Sequence, residues 1–206
     1  MKLIDISQRL NNSTPVWPGD TPFSFSLNWS KSETGSVNVG NVRFSAHTGT
    51  HIDAPFHFDD NGRKVAELPL ENFFGRALVV EISGKESIGA EELDGLDFKG
   101  ATKLLIRTGS WMDKSVFPDE ITYLRENIGP LLKQKGIKLI GVDVPSVDPL
   151  DSKELPAHHS LQRNGIGILE GIDLDGVEEK IYELASFPLS IEGADGCPVR
   201  AVLIDR

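Results

Sequence analysis

Three of the five histidines in this 206-residue chain fall within one twelve-residue stretch, HTGTHIDAPFHF, which runs from His47 to Phe58. Imidazoles and a carboxylate at that density suit a divalent cation. Two neutral imidazoles and one carboxylate are the usual ligands of a catalytic zinc or manganese that keeps a position open for water. On a strand, with its period of two, His47, Gly49, His51 and Asp53 share one face, and Gly49 leaves room for an ion between the imidazoles. A helix would also bring His47 and His51 together, but Gly49 and the two threonines are poor helix formers. Pro55 then ends ladder pairing, so His57 can approach the same place from another direction. A lone histidine on a strand is most simply a surface or satisfied core residue. That explanation fails for four ionisable groups beside Ile52, Phe56 and Phe58, which are costly to bury without a metal or close pairing.

The two remaining histidines are adjacent, in DSKELPAHHSLQRNGIGILEG from Asp151 to Gly171. Neighbouring residues point apart, so one of His158 and His159 faces a shared site. Glu170 ends the apolar run IGIL, where a carboxylate is either a ligand or an ordinary surface acid. Asp143 and Asp148, in GVDVPSVDP, read as loop-ordering acids outside the site.

The elements that must carry these groups are mostly strands. KLIDI, VNVGNVRFS, ALVVEI, KLLIRT, KLIGVDV and PVRAVLI are rich in β-branched and aliphatic residues. The main helix candidate spans Pro118 to Gly136, with a break expected at Pro130 and hence two helical pieces. Strands and helices do not alternate regularly, which favours an α/β fold with a mixed sheet or partly closed barrel and flanking helices. The length and the absence of a linker-like stretch point to one domain over residues 1–206. TPVWPGD, from Thr14 to Asp20, reads as a fixed loop presenting Trp17.

A formal charge of −10 and a pI near 4.9 argue against nucleic acid or an anionic membrane as partner. The N-terminal MKLIDISQRL resembles neither a signal peptide nor a membrane span, so the expected location is cytoplasmic. The single cysteine, Cys197, has no histidine or second thiol nearby in sequence and reads as a small residue near a strand start.

HTGTHIDAPFHF matches the His-x-Gly-Thr-His-x-Asp-x-Pro-x-His-Phe signature of the metal-dependent cyclase family. PVWPGDTPF (Pro15 to Phe23), LIGVDVPSVDPLDSKELPAHH (Leu139 to His159), ILEG (Ile168 to Gly171) and PVRAVL (Pro198 to Leu203) make the chain similar to its bacterial kynurenine formamidase branch. The resemblance implies a swivelling β/β/α domain and a homodimer in which loops of both chains shape the pocket. It also implies two divalent ions per subunit, zinc by preference, with manganese or cobalt as alternatives. His47, His51 and Asp53 would hold one ion, and Asp53 would bridge to a second held by His158 and Glu170. His57 would be the acid–base group, with an ordinary pKa near neutrality that suits the task. Trp17 would stack on the aryl ring of the substrate. The implied reaction is hydrolysis of N-formyl-L-kynurenine to L-kynurenine and formate in tryptophan degradation by the kynurenine pathway. Two rivals share the first motif: another amidase or lactamase of the family, such as one opening the isatin ring, and a metal-binding protein without catalysis. A histidine left over beside the ligands, His57, argues against the second, because a structural site closes its coordination shell. Lys153, Arg163 and Ser146 are candidates for the amino-acid end of the substrate.

Overall fold

The computed structural model describes residues Met1–Arg206. Its elements in chain order are β1 (Lys2–Asp5), β2 (Ser24–Trp29), α1 (Lys31–Thr34), β3 (Val39–Arg43), β4 (His51–Asp53), β5 (Phe74–Glu81), β6 (Ser87–Ile88), β7 (Lys103–Arg107), β8 (Tyr123–Leu124), α2 (Ile128–Gln134), β9 (Leu139–Val142), α3 (Pro156–Arg163), β10 (Gly167–Glu170), β11 (Ile181–Ala185), β12 (Gly196–Pro198) and β13 (Val202–Asp205). Nine strands form one curled, mixed sheet in the order β1-β13-β11-β5-β7-β9-β10-β4-β12, as expected of a partly closed barrel. β5, β7, β9 and β10 run parallel, and the strands on either side join them antiparallel.

The parallel strands read as continuous aliphatic runs because both of their faces are covered. Leu78, Val80, Leu104, Ile106, Ile140, Val142 and Ile168 belong to the apolar cluster beneath α2 and α3. The alternate residues Ala77, Val79, Leu105, Leu139 and Leu169 belong to a second cluster on the opposite face. β2 and β3 stand apart as a two-stranded ribbon.

The helix expected from Pro118 begins only at Ile128. Tyr123 and Leu124 instead pair with Ser87 and Ile88, so tertiary pairing overrides the helix-start signals of PDE. Pro130 breaks nothing, because it lies in the first turn of α2, where its missing N–H would have no partner inside the helix. There is therefore one helical piece, not two. The expected strand from His47 also shortens, to His51–Asp53, and His47 to Thr50 form a turn with Gly49 at φ +65°. A Cβ on Gly49 would meet the Leu10 side chain, so this glycine serves the turn rather than opening a gap between imidazoles.

Leu105 is fully buried at the centre of β7, directly across from Gly141 of β9, and its methyl fills the place where a Gly141 Cβ would stand. Leu105→Ala is expected to lower the unfolding free energy by about 2–5 kcal/mol. Adding Gly141→Ala to that variant is expected to recover part of the loss, measured by urea denaturation.

Candidate metal centre

The site lies where the register of three strands converges. β4 is held between β10 and β12, so that His51 stands across from Glu170 and Asp53 across from Gly196. His51, Asp53 and Glu170 therefore present their side chains from one face. Pro55 opens a single 3-10 turn, Pro55–His57, which carries His57 back over the strand, as the sequence leads one to expect. His47 arrives from the turn before β4, and its ring lies over Gly196, where any Cβ would stand 2.6 Å from Cε1. The fifth histidine comes from α3. His158 is buried, whereas His159 is half-buried with its ring edge-on to Phe58, the centroids 5.5 Å apart.

Asp53 is the meeting point. Its Oδ1 is 2.9 Å from His47 Nδ1 and 3.4 Å from His51 Nε2, and its Oδ2 is 3.3 Å from His158 Nε2. Glu170 lies 3.4 Å from His51 Nε2 and 3.7 Å from His158 Nε2, and its Oε1 accepts the Val147 backbone N–H at 2.8 Å. His47, His51 and Asp53 thus offer one set of converging ligand atoms, Asp53, His158 and Glu170 a second, and His47, His57 and Asp195 a third. The other nitrogen of each imidazole is bonded outward: His47 Nε2 to Asp195 at 3.0 Å, His51 Nδ1 to the Gly49 carbonyl at 3.0 Å, and His158 Nδ1 to Asp148 at 2.7 Å. Metal-binding histidines are typically oriented this way, with the second N–H given to a carboxylate or carbonyl. The nitrogen and oxygen donors, all buried except those of the half-buried His47, fit a divalent transition metal.

The electrostatics point the same way. Burial pulls the pKa of His47 down, but bonds to Asp195 and Asp53 outweigh it and raise the value to about 9. The same contest takes His51, beside Asp53 and Glu170, to about 10, and His158, beside Asp148 and Asp53, to about 10. Burial would raise Asp53, yet its contacts with His158, His47 and His51 hold it well below the usual carboxylate range. Glu170 is pushed up by burial and by the charge of Asp53. His57 differs from the other three: burial lowers its pKa, so it is a neutral imidazole at neutral pH.

His47, His51, His57, His158 and Glu170 line a cavity of about 300 Å³. Trp17, Trp111 and Phe117 line it, with Trp17 edge-on to Phe117, their centroids 5.3 Å apart. Trp17 keeps 40% of its surface exposed. Ser146 also lines the cavity; Lys153 and Arg163 do not, and Arg163 pairs with Glu126 at 3.2 Å.

Four residues around the site escape sequence reasoning. Trp111 and Phe117 carry no local signal. Asp148 is more than a loop-ordering acid, because it accepts the backbone N–H groups of Ala157 and His158 as well as the His158 ring. Asp195, two residues before Cys197, touches both His47 and His57. Asp143 does order a loop, accepting from the backbone of Thr108 and Gly109. Cys197 is buried in β12, in keeping with a packing role.

Known proteins resemble this chain in sequence and in fold. The sequence model of the family described as "Putative cyclase" matches residues 4–149. A kynurenine formamidase of Geobacillus thermodenitrificans is 56% identical over 200 residues, covering 97% of this chain and 96% of the relative. One of Bacillus cereus has the same identity and coverage. Among solved structures, a predicted metal-dependent hydrolase from Bacillus stearothermophilus superposes with a TM-score of 0.84 at 25% identity, over 100% of this chain and 98% of the other. Isatin hydrolase A from Labrenzia aggregata shares the fold, with a TM-score of 0.85 at 22% identity over 100% and 94% of the two chains. The chain belongs to the cyclase family, alongside relatives that bear the kynurenine formamidase name.

Proposed function

We propose that the protein hydrolyses N-formyl-L-kynurenine to L-kynurenine and formate, a step of tryptophan degradation by the kynurenine pathway. The observation that carries this reading is a single cavity with imidazoles and carboxylates converging at one end and three aromatic rings among its walls. Relatives at 56% identity over nearly the whole chain favour a formamide over the lactam of the isatin hydrolases, whose likeness is one of fold.

His47, His51 and Asp53 would hold one ion, and Asp53, His158 and Glu170 a second, with zinc as our assignment for both. Bound divalent cations supply Lewis-acid polarisation of the formyl oxygen and lower the pKa of water to about 7. His57, neutral and not needed as a ligand, takes a proton from the attacking water and returns it to the aryl nitrogen as the C–N bond breaks. Water oxygen ends in formate and the arylamine leaves neutral. Trp17 lies against the aryl ring, with Trp111 and Phe117 completing an apolar wall that excludes water.

The working form is taken to be a homodimer. The β2–β3 ribbon supports this, since Phe25, Leu27 and Val42 are 50% exposed and Trp29 60%. Clustered apolar exposure of that kind marks an interaction surface.

Three outcomes test the reading. His57→Ala is expected to retain metal and lose about 10²–10⁴ in turnover, whereas His51→Ala loses metal, as elemental analysis after dialysis will tell. Without metal, His47 (about 9), His51 and His158 (each about 10) keep protons that ligation must displace. Their folded values exceed the ordinary 6.5, so they stabilise the metal-free fold below that pH, and the contribution is lost as pH rises through 9 to 10. Zinc binding at neutral pH is accordingly expected to release protons and to tighten with rising pH, read by calorimetry in buffers of different ionisation enthalpy. Leu27→Asp with Trp29→Asp is expected to shift the sedimenting species from dimer to monomer; a wild-type monomer would refute the assembly and leave the chemistry standing.

A further inference from the structure

We propose that Asp195 is the positioning residue for His57, its carboxylate holding the imidazole with Nδ1 protonated so that Nε2 is left to handle the reacting proton. The inference rests on the reading of His57 as the acid–base group.

One carboxylate oxygen, Asp195 Oδ2, lies 3.0 Å from His47 Nε2 and 3.6 Å from His57 Nδ1. The second separation is longer than a hydrogen bond, and contacts of catalytic groups are often this long before substrate binds. The two rings face each other at a tilt of 36°, with centroids 3.9 Å apart, so the three side chains form one packed group. His57 Nε2 makes no hydrogen bond within the protein, and Asp195 is the one carboxylate that comes within ion-pair distance of Nδ1. An acceptor placed against one edge of an imidazole fixes which nitrogen carries the proton and how the ring is turned.

His57 needs such a constraint. It sits in a single 3-10 turn with its side chain 35% exposed, and nothing in that turn locks the ring. Asp195, by contrast, is held by its main chain. Its carbonyl accepts the N–H of Ala54, the residue just before the turn, at 2.9 Å, and the next residue, Gly196, pairs with Asp53 in the sheet. The carboxylate is therefore fixed in the same frame as Asp53, and side-chain substitution leaves these backbone bonds in place.

The role can be separated from a general structural one by the leaving group. An arylamine departs from a formamide with a proton, whereas 4-nitrophenolate departs from 4-nitrophenyl formate without one. With zinc in excess, Asp195→Ala is expected to lower kcat for N-formylkynurenine by about 10- to 100-fold more than kcat for the ester. The zinc excess offsets the weaker metal affinity that losing the Asp195 contact to His47 brings, and nitrogen-resolved magnetic resonance is expected to show His57 leaving the Nδ1–H tautomer. In a His57→Ala background the same substitution is expected to cost the formamide reaction nothing more. Parallel losses on both substrates at saturating zinc, or an unchanged His57 tautomer, would overturn the assignment. A metal-loaded wild-type enzyme that turns over the ester but not the formamide would instead remove the functional reading beneath it.

Discussion

The buried carboxylate of Asp53 is the constraint from which the rest of the site follows. Only 4% of the residue is exposed, and an isolated charge in such a place costs several kcal/mol. Three imidazoles turn a nitrogen toward it, and each of these rings is held from behind by an acceptor: Asp195, the Gly49 carbonyl and Asp148. The rings therefore have no freedom to turn away. Glu170 adds a second buried acid to the same volume, and its pKa is raised first by burial and then by the like charge of Asp53. Protons on the histidines balance that charge in the bare chain, and a bound dication would supply the same balance.

The sheet explains why so short a strand can carry so much. β4 has three residues, all buried, and gains its rigidity from β10 on one side and β12 on the other. β10 is in turn the last of four parallel strands whose two faces are covered by separate apolar clusters. Both acids and the imidazoles of His51 and His158 are thus mounted on buried strands and on α3, while His47, His57 and Trp17 sit on turns. Binding and catalytic groups are often carried on loops that a rigid scaffold positions.

Much of this was legible in the chain, and what was not has identifiable causes. Aliphatic runs such as ALVVEI and KLLIRT announce strands because burial on both faces demands an unbroken apolar sequence. SFSLNW and IYELA form strands without being read as such, the first because its apolar residues face solvent and the second because its acids and aromatics dilute the pattern. The clustering of His47, His51, Asp53 and His57 pointed to a shared site, yet the alternation argument holds only for His51 and Asp53. His47 reaches the cluster through a turn. Outer acids are the least legible, because Asp148 and Asp195 sit among prolines and glycines where an aspartate ordinarily closes a turn. Sequence alone also left His158 and His159 open, and helix geometry resolves them, since successive residues point about 100° apart.

The placement of β4 between two strands from the far end of the chain also sets an order of events. Asp53 and His158 are 105 residues apart, and His47 and Asp195 are 148 apart. Contacts of such range form late, after the entropy of closing long loops has been overcome. A chain emerging from the ribosome exposes HTGTHID before α3, β10 and β12 have been made. In that interval its histidines are separate, weak ligands. Convergence of these donor atoms thus arises together with the folded sheet rather than guiding its early stages.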